Sequence, residues 1–227
     1  MKLGTAATWF VPAAAPVFRP LAAACHIPCR LEHERGIALT FDDGPHPEGT
    51  PAVLDQLARR GVIATFFLVG EQVARRPELA RRIVADGHEV AIHGYRHTLL
   101  LRRRLKELAV DLDRCVAAIE DATGVAPTLY RPPYGVFSSG ALAHVRERGW
   151  RPLLWSTWGR DWRRRTNPAE IARLATRGLR AGDVVLLHDS DAYSSADSWR
   201  RTAAAVPSVV DAVESLGVTA VAITQST

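Results

Sequence analysis

The chain has 227 residues, of which 47% are apolar, a formal net charge of +5 and an isoelectric point of about 9.5. This length and apolar content are typical of a globular chain that can bury one sizeable core. The positive charge is carried almost entirely by arginine. No stripe of aromatic and basic residues indicates a nucleic-acid surface, so we expect no nucleic-acid partner.

Residues 1–35 are predicted to form an N-terminal extension ahead of one domain at 36–227. The apolar stretch of the extension, from Leu3 to Phe18, is shorter than the roughly 18–20 residues of a spanning helix, so we expect no membrane-spanning segment. Residues 22–25 have a weak likeness to a processing site, but Arg19 interrupts the apolar core that a signal peptide needs. An amphipathic helix packed on the domain is an equally good interpretation. The compartment and the oligomeric state stay open.

The three cysteines are an odd number, so the sequence implies no complete disulfide framework. Cys25 and Cys29, with His33 nearby, fit a second metal site or a small disulfide. Free, buried thiols are the simpler interpretation for all three, including Cys115.

From Ile37 onward, short apolar runs alternate with helical patterns. The predicted strands cover residues 37–41, 64–69, 89–92, 128–130, 152–156, 183–187 and 218–223. Helices are predicted between them, with start signals at Thr50-Pro51 and Asn167-Pro168 and with glycines at their ends. Seven strands, each but the last followed by a helix, predict a single parallel α/β domain.

A pair of adjacent carboxylates, Asp42 and Asp43, closes the first predicted strand. Two histidines four residues apart, His93 and His97, follow the third. Two buried acids need partners, because an unpaired ionised carboxylate costs several kcal/mol to desolvate. One carboxylate and two imidazoles can hold a divalent metal, and the second carboxylate can then accept a proton from water. The pattern therefore predicts a metal-assisted hydrolase, although turn formation alone also explains the acidic segment.

Further polar residues also follow predicted strands. Arg131 comes after the fourth strand, Asp161 a few residues after the fifth and His188 directly after the sixth. The carboxyl ends of parallel strands meet at one face of a barrel, where active sites lie. We therefore expect these residues to share one site with the acids and the histidines.

The chain resembles the polysaccharide deacetylases of the NodB-homology type, carbohydrate esterase family 4. The resemblance runs from about Gly36 to Ile223 and rests on five motifs in order: residues 40–45 (TFDDGP), 93–97 (HGYRH), 131–135 (RPPYG), 160–162 (RDW) and 186–188 (LLH). It implies a distorted (β/α)7 barrel similar to a TIM barrel. It also implies an N-acetylated glycan or amino sugar as substrate, and one divalent ion per chain, usually zinc.

The resemblance further implies a role for each matching residue. Asp43, His93 and His97 would bind the metal. Asp42 would be the general base, Arg131 its partner, and the backbone N–H of Tyr134 would complete an oxyanion hole. His188 would be the general acid, supported by Asp161. The apolar wall for the acetyl methyl would come from Trp162 and Leu186. Outside the five motifs, Trp158 is expected at the rim of the cleft, facing the sugar.

Two features depart from the family pattern. Gly94 stands where the family usually has serine or threonine, whose hydroxyl steadies the metal loop. The Ser-rich loop 189–198 fits either a rim or lid of the cleft or a disordered surface loop. Two alternative functions stay open: an amidohydrolase on the same scaffold acting on a non-saccharide amide or cyclic imide, and a non-catalytic carbohydrate-binding relative.

Overall fold

The structure, a computed structural model, describes residues 9–32 and 35–224. A curled sheet of parallel strands forms its centre. The strands are β1 (Gly36–Asp42), β2 (Thr65–Leu68), β3 (Glu89–Ile92), β4 (Leu129–Tyr130), β5 (Arg151–Pro152), β6 (Thr157–Trp158), β7 (Val184–His188) and β8 (Thr219–Ala220). Their order is β5-β4-β3-β2-β1-β7-β6, with β8 paired to the start of β1. This architecture confirms the predicted α/β class and the distorted (β/α)7 barrel.

Strand β1 lies in the middle of the sheet, and all seven of its residues are buried. It pairs with β2 on one side and with β7 on the other, and the β7 register places Asp42 opposite His188. The apolar side chains of β1 enter the core, where the rings of Phe41 and Phe66 stack with centroids 5.2 Å apart. Burial of such a ring contributes about 1.5–3 kcal/mol, so the strand that carries the two acids is firmly held.

Helices cover the outside of the sheet in the described ranges. They are α1 (Arg19–Ala24), α2 (Gly49–Arg60), α3 (Gly70–Arg75), α4 (Pro77–Ala85), α5 (Leu105–Thr123), α6 (Ser139–Glu147), α7 (Pro168–Ala175) and α8 (Ser198–Glu214). Short 3-10 turns occur at Val11–Ala14, Leu100–Arg102 and Pro133–Gly135. Among the described residues, no helix combines the length and the apolar character needed to cross a membrane.

The predicted strand 152–156 is wrong as one continuous strand. Strand β5 ends at Pro152 and pairs with β4, whereas β6 begins at Thr157 and pairs with β7. Between them, the carbonyl groups of Leu153 and Leu154 accept hydrogen bonds from the buried guanidinium of Arg131, at 3.3 and 3.1 Å. The chain leaves the ladder here because a buried cation takes the acceptors that a neighbouring strand would use.

The predicted helix starts are partly right. Asn167 is the N-cap of α7, and its side chain accepts a hydrogen bond from the N–H of Glu170 at 2.8 Å. Thr50 is not an N-cap, because α2 already begins at Gly49. Its hydroxyl instead accepts from the N–H of His46 and donates to the carboxylate of Asp189, which ties α2 to the end of β7.

Two other helical segments differ from the prediction. Helix α3 lies directly after β2 and is not predicted, because its six residues are too few to show a helical period. Helix α7 ends at Ala175 and not near Gly182, and the N–H of Thr176 donates to the carbonyl of Ala172 in its last turn.

The described part of the N-terminal extension packs on the domain. The ring of Trp9 lies on Gly140, and Pro16 lies against Gly135. Arg19 donates to the carbonyl of Ser156 at 2.6 Å. All three cysteines are free thiols: Cys115 is buried and the other two are half-buried. His33, the third member of the predicted second metal site, and residues 1–8 lie outside the described residues.

Candidate active site

Side chains with chemical function gather at the carboxyl ends of four strands. Asp42 ends β1 and Asp43 follows it, His93 follows β3, Arg131 follows β4 and His188 ends β7. Parallel pairing of β1 with β2 and β7 brings these ends to the same edge of the sheet. The predicted meeting of these residues at one face of the barrel is therefore what the structure shows.

Asp43, His93 and His97 form a compact cluster whose ligand atoms all lie within 4.8 Å of one another. The Nε2 atoms of His93 and His97 lie 3.3 and 3.2 Å from the same carboxylate oxygen, Oδ1 of Asp43. All three side chains are at least 95% buried. In residues 9–32 and 35–224, this is the one cluster of three His, Cys, Asp or Glu side chains with the spacing of a metal site.

The hydrogen bonds of this cluster fit a bound cation. The Nδ1 of His93 lies 2.8 Å from the carbonyl oxygen of Arg131 and must donate to it, which leaves Nε2 as the ring nitrogen directed at Asp43. Oδ1 of Asp43 has no hydrogen-bond partner within the part of the chain that the structure describes. A buried carboxylate oxygen that faces two ring nitrogens needs positive charge between them, either ring protons or a cation, so these residues fit a divalent metal.

The pKa of Asp43 reflects the same environment. Burial on its own raises the pKa of this carboxyl group. The imidazoles of His93 and His97 outweigh that effect and hold the pKa well below its ordinary value of 3.8. Asp43 is therefore an anion at neutral pH, which is the state that a metal ligand requires.

Asp42 is held by the fully buried Arg131. The guanidinium donates to Oδ1 of Asp42 at 2.6 Å and to the hydroxyl of Thr40 at 2.9 Å. Its flat face lies 3.9 Å from the ring centroid of Phe67. The second oxygen of Asp42 is 3.8 Å from Nε2 of His93, beside the metal cluster. The charge of this buried acid is thus balanced by one cation, and its free oxygen faces the site.

His188 and Asp161 form the second polar pair. Nδ1 of His188 lies 2.9 Å from Oδ1 of the fully buried Asp161, whose other oxygen accepts from the His188 N–H and the Thr202 hydroxyl. Burial lowers the pKa of His188, but the carboxylate of Asp161 raises it more strongly, and the pKa is about 10. The imidazole is therefore protonated at neutral pH, with Nε2 available on the side of the cleft.

The backbone is strained at three points around the site. Asp43, Tyr134 and Arg160 have φ values of 80°, 61° and 52°, in the left-handed region that side chains other than glycine rarely adopt. Each is a site residue or the neighbour of one. Strain of this kind persists only where the surrounding structure enforces it, and it is concentrated at functional sites.

A cleft of about 390 Å³ opens above the cluster. Leu186 is buried in its wall, and the predicted aromatic residues Trp158 and Trp162 line the same side. The ring of Trp162 contacts those of Trp158 and His188 edge-on, with centroids 5.3 and 5.5 Å apart. A larger groove of about 840 Å³ lies next to α1. It contains none of the predicted site residues, so volume alone does not identify the site.

Sequence analysis missed one part of the cleft and named no individual residue of another. Pro16 and Val17 of the N-terminal extension line one side, although neither belongs to a motif. Tyr193 and Ser194 line another and come from the loop 189–198, where Nε2 of His46 donates to Oδ1 of Asp191 at 3.1 Å. This placement agrees with the rim interpretation of the loop.

Comparisons with known proteins show which family the chain belongs to. Residues 31–153 match the family model described as polysaccharide deacetylase. The chain belongs to the polysaccharide deacetylase family. It is 42% identical to a chitooligosaccharide deacetylase of Bradyrhizobium over 156 residues, which are 68% of this chain and 71% of that protein. As a member of this family, the chain is a hydrolase that acts on carbon–nitrogen bonds, and the family is metal-dependent.

Two further relatives extend the comparison. A peptidoglycan-N-acetylglucosamine deacetylase of Listeria monocytogenes is 36% identical over 160 residues, which are 70% of this chain but only 34% of the longer protein. The crystal structure of the Bc1960 peptidoglycan N-acetylglucosamine deacetylase superposes with a TM-score of 0.81 at 27% identity, over 88% of this chain and 91% of that one. The structural match therefore extends beyond residue 153, to the region that carries Asp161 and His188.

Proposed function

We propose that this deacetylase binds one zinc ion through Asp43, His93 and His97 and removes acetyl groups from N-acetylated sugars. One observation carries the proposal. A cluster with the geometry of a metal site lies at the floor of a cleft, with an Arg-paired carboxylate on one side and an Asp-paired imidazole on the other. One aspartate and two histidines with an open face are a ligand set that catalytic zinc accepts.

The roles of the side chains in the reaction follow from the pairs Asp42–Arg131 and His188–Asp161. When bound, zinc polarises an amide carbonyl and lowers the pKa of water. Asp42, with one oxygen bound by Arg131 and the other facing the site, accepts the proton of the attacking water. The N–H of Tyr134 donates to the carbonyl oxygen as negative charge develops on it. His188 gives the proton at Nε2 to the departing amine, and Asp161 stabilises the imidazolium before that transfer.

The wall of the cleft supports acetyl as the acyl group. Leu186 is 97% buried, and Trp162 packs beside it against the ring of His188. A methyl group fits against such a wall, whereas a longer acyl chain would force the packed side chains apart, at a cost of about 1–3 kcal/mol. Trp158 also lines the cleft, and a sugar ring would pack against its indole.

The sugar substrate is supported by the relatives and by the cleft. The names of the two curated relatives give chitooligosaccharide and peptidoglycan N-acetylglucosamine as their substrates. Both contain N-acetylated amino sugars, and a cleft of about 390 Å³ lined by aromatic rings accepts such a unit. A non-catalytic binding role is disfavoured, because the cluster of Asp43, His93 and His97 and the two pairs of Asp42 with Arg131 and His188 with Asp161 are all present.

An assay of acetate release tests the proposal. Purified protein, first stripped of metal and then supplied with zinc, would be offered chitooligosaccharides, peptidoglycan, acetylated xylan, free N-acetylglucosamine and small cyclic imides. We expect zinc-dependent acetate release from at least one N-acetylated sugar. Turnover of the imides alone would contradict the saccharide assignment while leaving the metal hydrolase intact.

A further inference from the structure

We infer that Tyr193 is a positioning residue that fixes the ring of His97 for metal binding. This inference rests on the proposed zinc site. It starts from a difference between the two histidines of the cluster. Nδ1 of His93 is bonded to the carbonyl of Arg131, whereas Nδ1 of His97 is buried and has no hydrogen-bond partner in the residues described. A ligating histidine ordinarily has its second nitrogen bonded, and that bond sets the orientation of the ring.

The chain between the two histidines offers His97 no side-chain partner. Gly94 has a φ of 85°, in the region that favours glycine. A Cβ atom at this position would lie 3.4 Å from Oδ2 of Asp111. That carboxylate oxygen already accepts from the N–H of Tyr95 at 2.8 Å, so the space beside Gly94 is in use.

Aromatic packing holds the His97 ring instead. The ring of Tyr193 is stacked on it, with a centroid distance of 4.2 Å and an interplanar angle of 14°. Tyr134 closes a second side edge-on, at 4.6 Å and 66°. Two rings at these distances prevent rotation of the imidazole about its χ2 angle, so Nε2 stays directed at Asp43.

The position of the Tyr193 ring is itself fixed at the far end. Its hydroxyl donates to Oε1 of Glu71 at 2.8 Å and accepts from Nε2 of Gln72 at 3.1 Å. Both residues belong to α3, whose first N–H groups, those of Gly70 and Glu71, donate to the carbonyl groups of Gly94 and Tyr95. Helix α3 thus anchors the Tyr193 hydroxyl and also binds the loop 93–97, which carries His97. The rings of Tyr193 and His97 are therefore held by the same short helix.

The test is the zinc affinity of four proteins, measured by competition with a chromogenic chelator: wild type, Tyr193→Leu, Tyr193→Phe and Asp191→Asn. Tyr193→Leu removes the flat ring and should weaken zinc binding by about 10- to 100-fold, the usual effect of losing an outer-shell partner. Tyr193→Phe loses the hydroxyl bonds to α3 but keeps the ring stacked on His97, and because the stacking itself directs the imidazole, its affinity should stay within about threefold of wild type. Asp191→Asn removes one of the two carboxylate oxygens that accept from His46 and from the Asp197 N–H, which loosens the same loop but leaves the ring, so its affinity should match that of Tyr193→Phe.

A spectroscopic measurement separates positioning from a general effect on the fold. With Co²⁺ in place of zinc, the visible absorption reports ligand geometry, and it should change in Tyr193→Leu but not in Tyr193→Phe. The urea midpoints of the metal-free proteins check folding, and Tyr193→Met replaces the leucine variant if that variant does not fold.

The outcomes that overturn the inference are distinct from failure of the metal site. Zinc affinity of Tyr193→Leu within twofold of wild type would overturn it, and so would an equal loss in Tyr193→Phe, since the hydroxyl and not the ring would then be responsible. If wild type itself does not bind one zinc ion, or if Asp43→Ala binds it equally well, the proposed zinc site fails.

Discussion

Replacing the buried Arg131 with methionine tests whether Asp42 depends on a single cation. Methionine has a similar length and fits apolar surroundings, so the substitution removes the charge without opening a large cavity. The four groups that accept from the guanidinium would lose their donor: the Asp42 carboxylate, the Thr40 hydroxyl and the carbonyls of residues 153 and 154.

The expected cost follows from burial. Arg131 is fully buried and Asp42 is 97% buried, so neither charge is screened by solvent. Breaking such a pair by removing one partner costs about 3–5 kcal/mol, which is a large part of the 5–15 kcal/mol that stabilises a typical domain. Arg148→Met is the matched control, because Arg148 pairs with Asp113 at a similar distance, 2.7 Å, with both side chains half-exposed. That pair should contribute no more than about 1 kcal/mol.

Urea unfolding followed by tryptophan fluorescence, in the presence of a chelator, gives these free energies. The double variant Asp42→Asn/Arg131→Met also removes the carboxylate charge that Arg131→Met leaves unpaired. Its loss in free energy of unfolding should therefore be about 1–3 kcal/mol smaller than the sum of the losses in the two single variants. The reasoning would be refuted if Arg131→Met were as stable as Arg148→Met, or if the double variant were additive.

Other predictions concern catalysis, acyl choice and pH. Asp42→Asn and His188→Ala should each lower turnover by roughly 100- to 10,000-fold with zinc content unchanged, and near-normal turnover of either would remove its assigned role. Adding Asp161→Ala to His188→Ala should lower turnover little further, because the two act as a unit. Leu186→Ala should raise the rate on N-butyryl relative to N-acetyl substrates, and an unchanged ratio would show that Leu186 does not limit the acyl chain. Burial lowers the pKa of His88 below 6.5, and its ring accepts from the N–H of Ala64. The unfolded chain therefore binds a proton at His88 more tightly than the folded chain does. The free energy of unfolding falls as the pH drops from 6.5 through the folded pKa of His88. His88→Asn should reduce the difference in urea midpoint between pH 7.5 and pH 5.0.

Features that depend on local pattern could be predicted from the sequence. The buried strand β1, the N-cap at Asn167 and the carboxyl-end positions of the acids and histidines all follow from apolar runs and short-range signals. Because parallel strands share one direction, those positions were enough to predict that Asp43, His93 and His97 meet.

Features that depend on long-range contacts could not be predicted in this way. The break between β5 and β6 arises because Arg131 takes carbonyl groups more than twenty residues away. The hydroxyl of Thr50 is used by Asp189, 139 residues along the chain, which no capping rule anticipates. Tyr193 reaches His97 from a polar loop whose composition gives no sign of an ordered aromatic contact.

The most direct test of the central claim is a zinc titration of metal-free protein with acetate release from chitooligosaccharides as the readout. Activity should rise linearly and reach its plateau at one zinc ion per chain, and Asp43→Ala should stay inactive throughout. Full activity in the presence of a strong chelator, a plateau at another stoichiometry or an active Asp43→Ala would contradict a single catalytic zinc held by Asp43, His93 and His97.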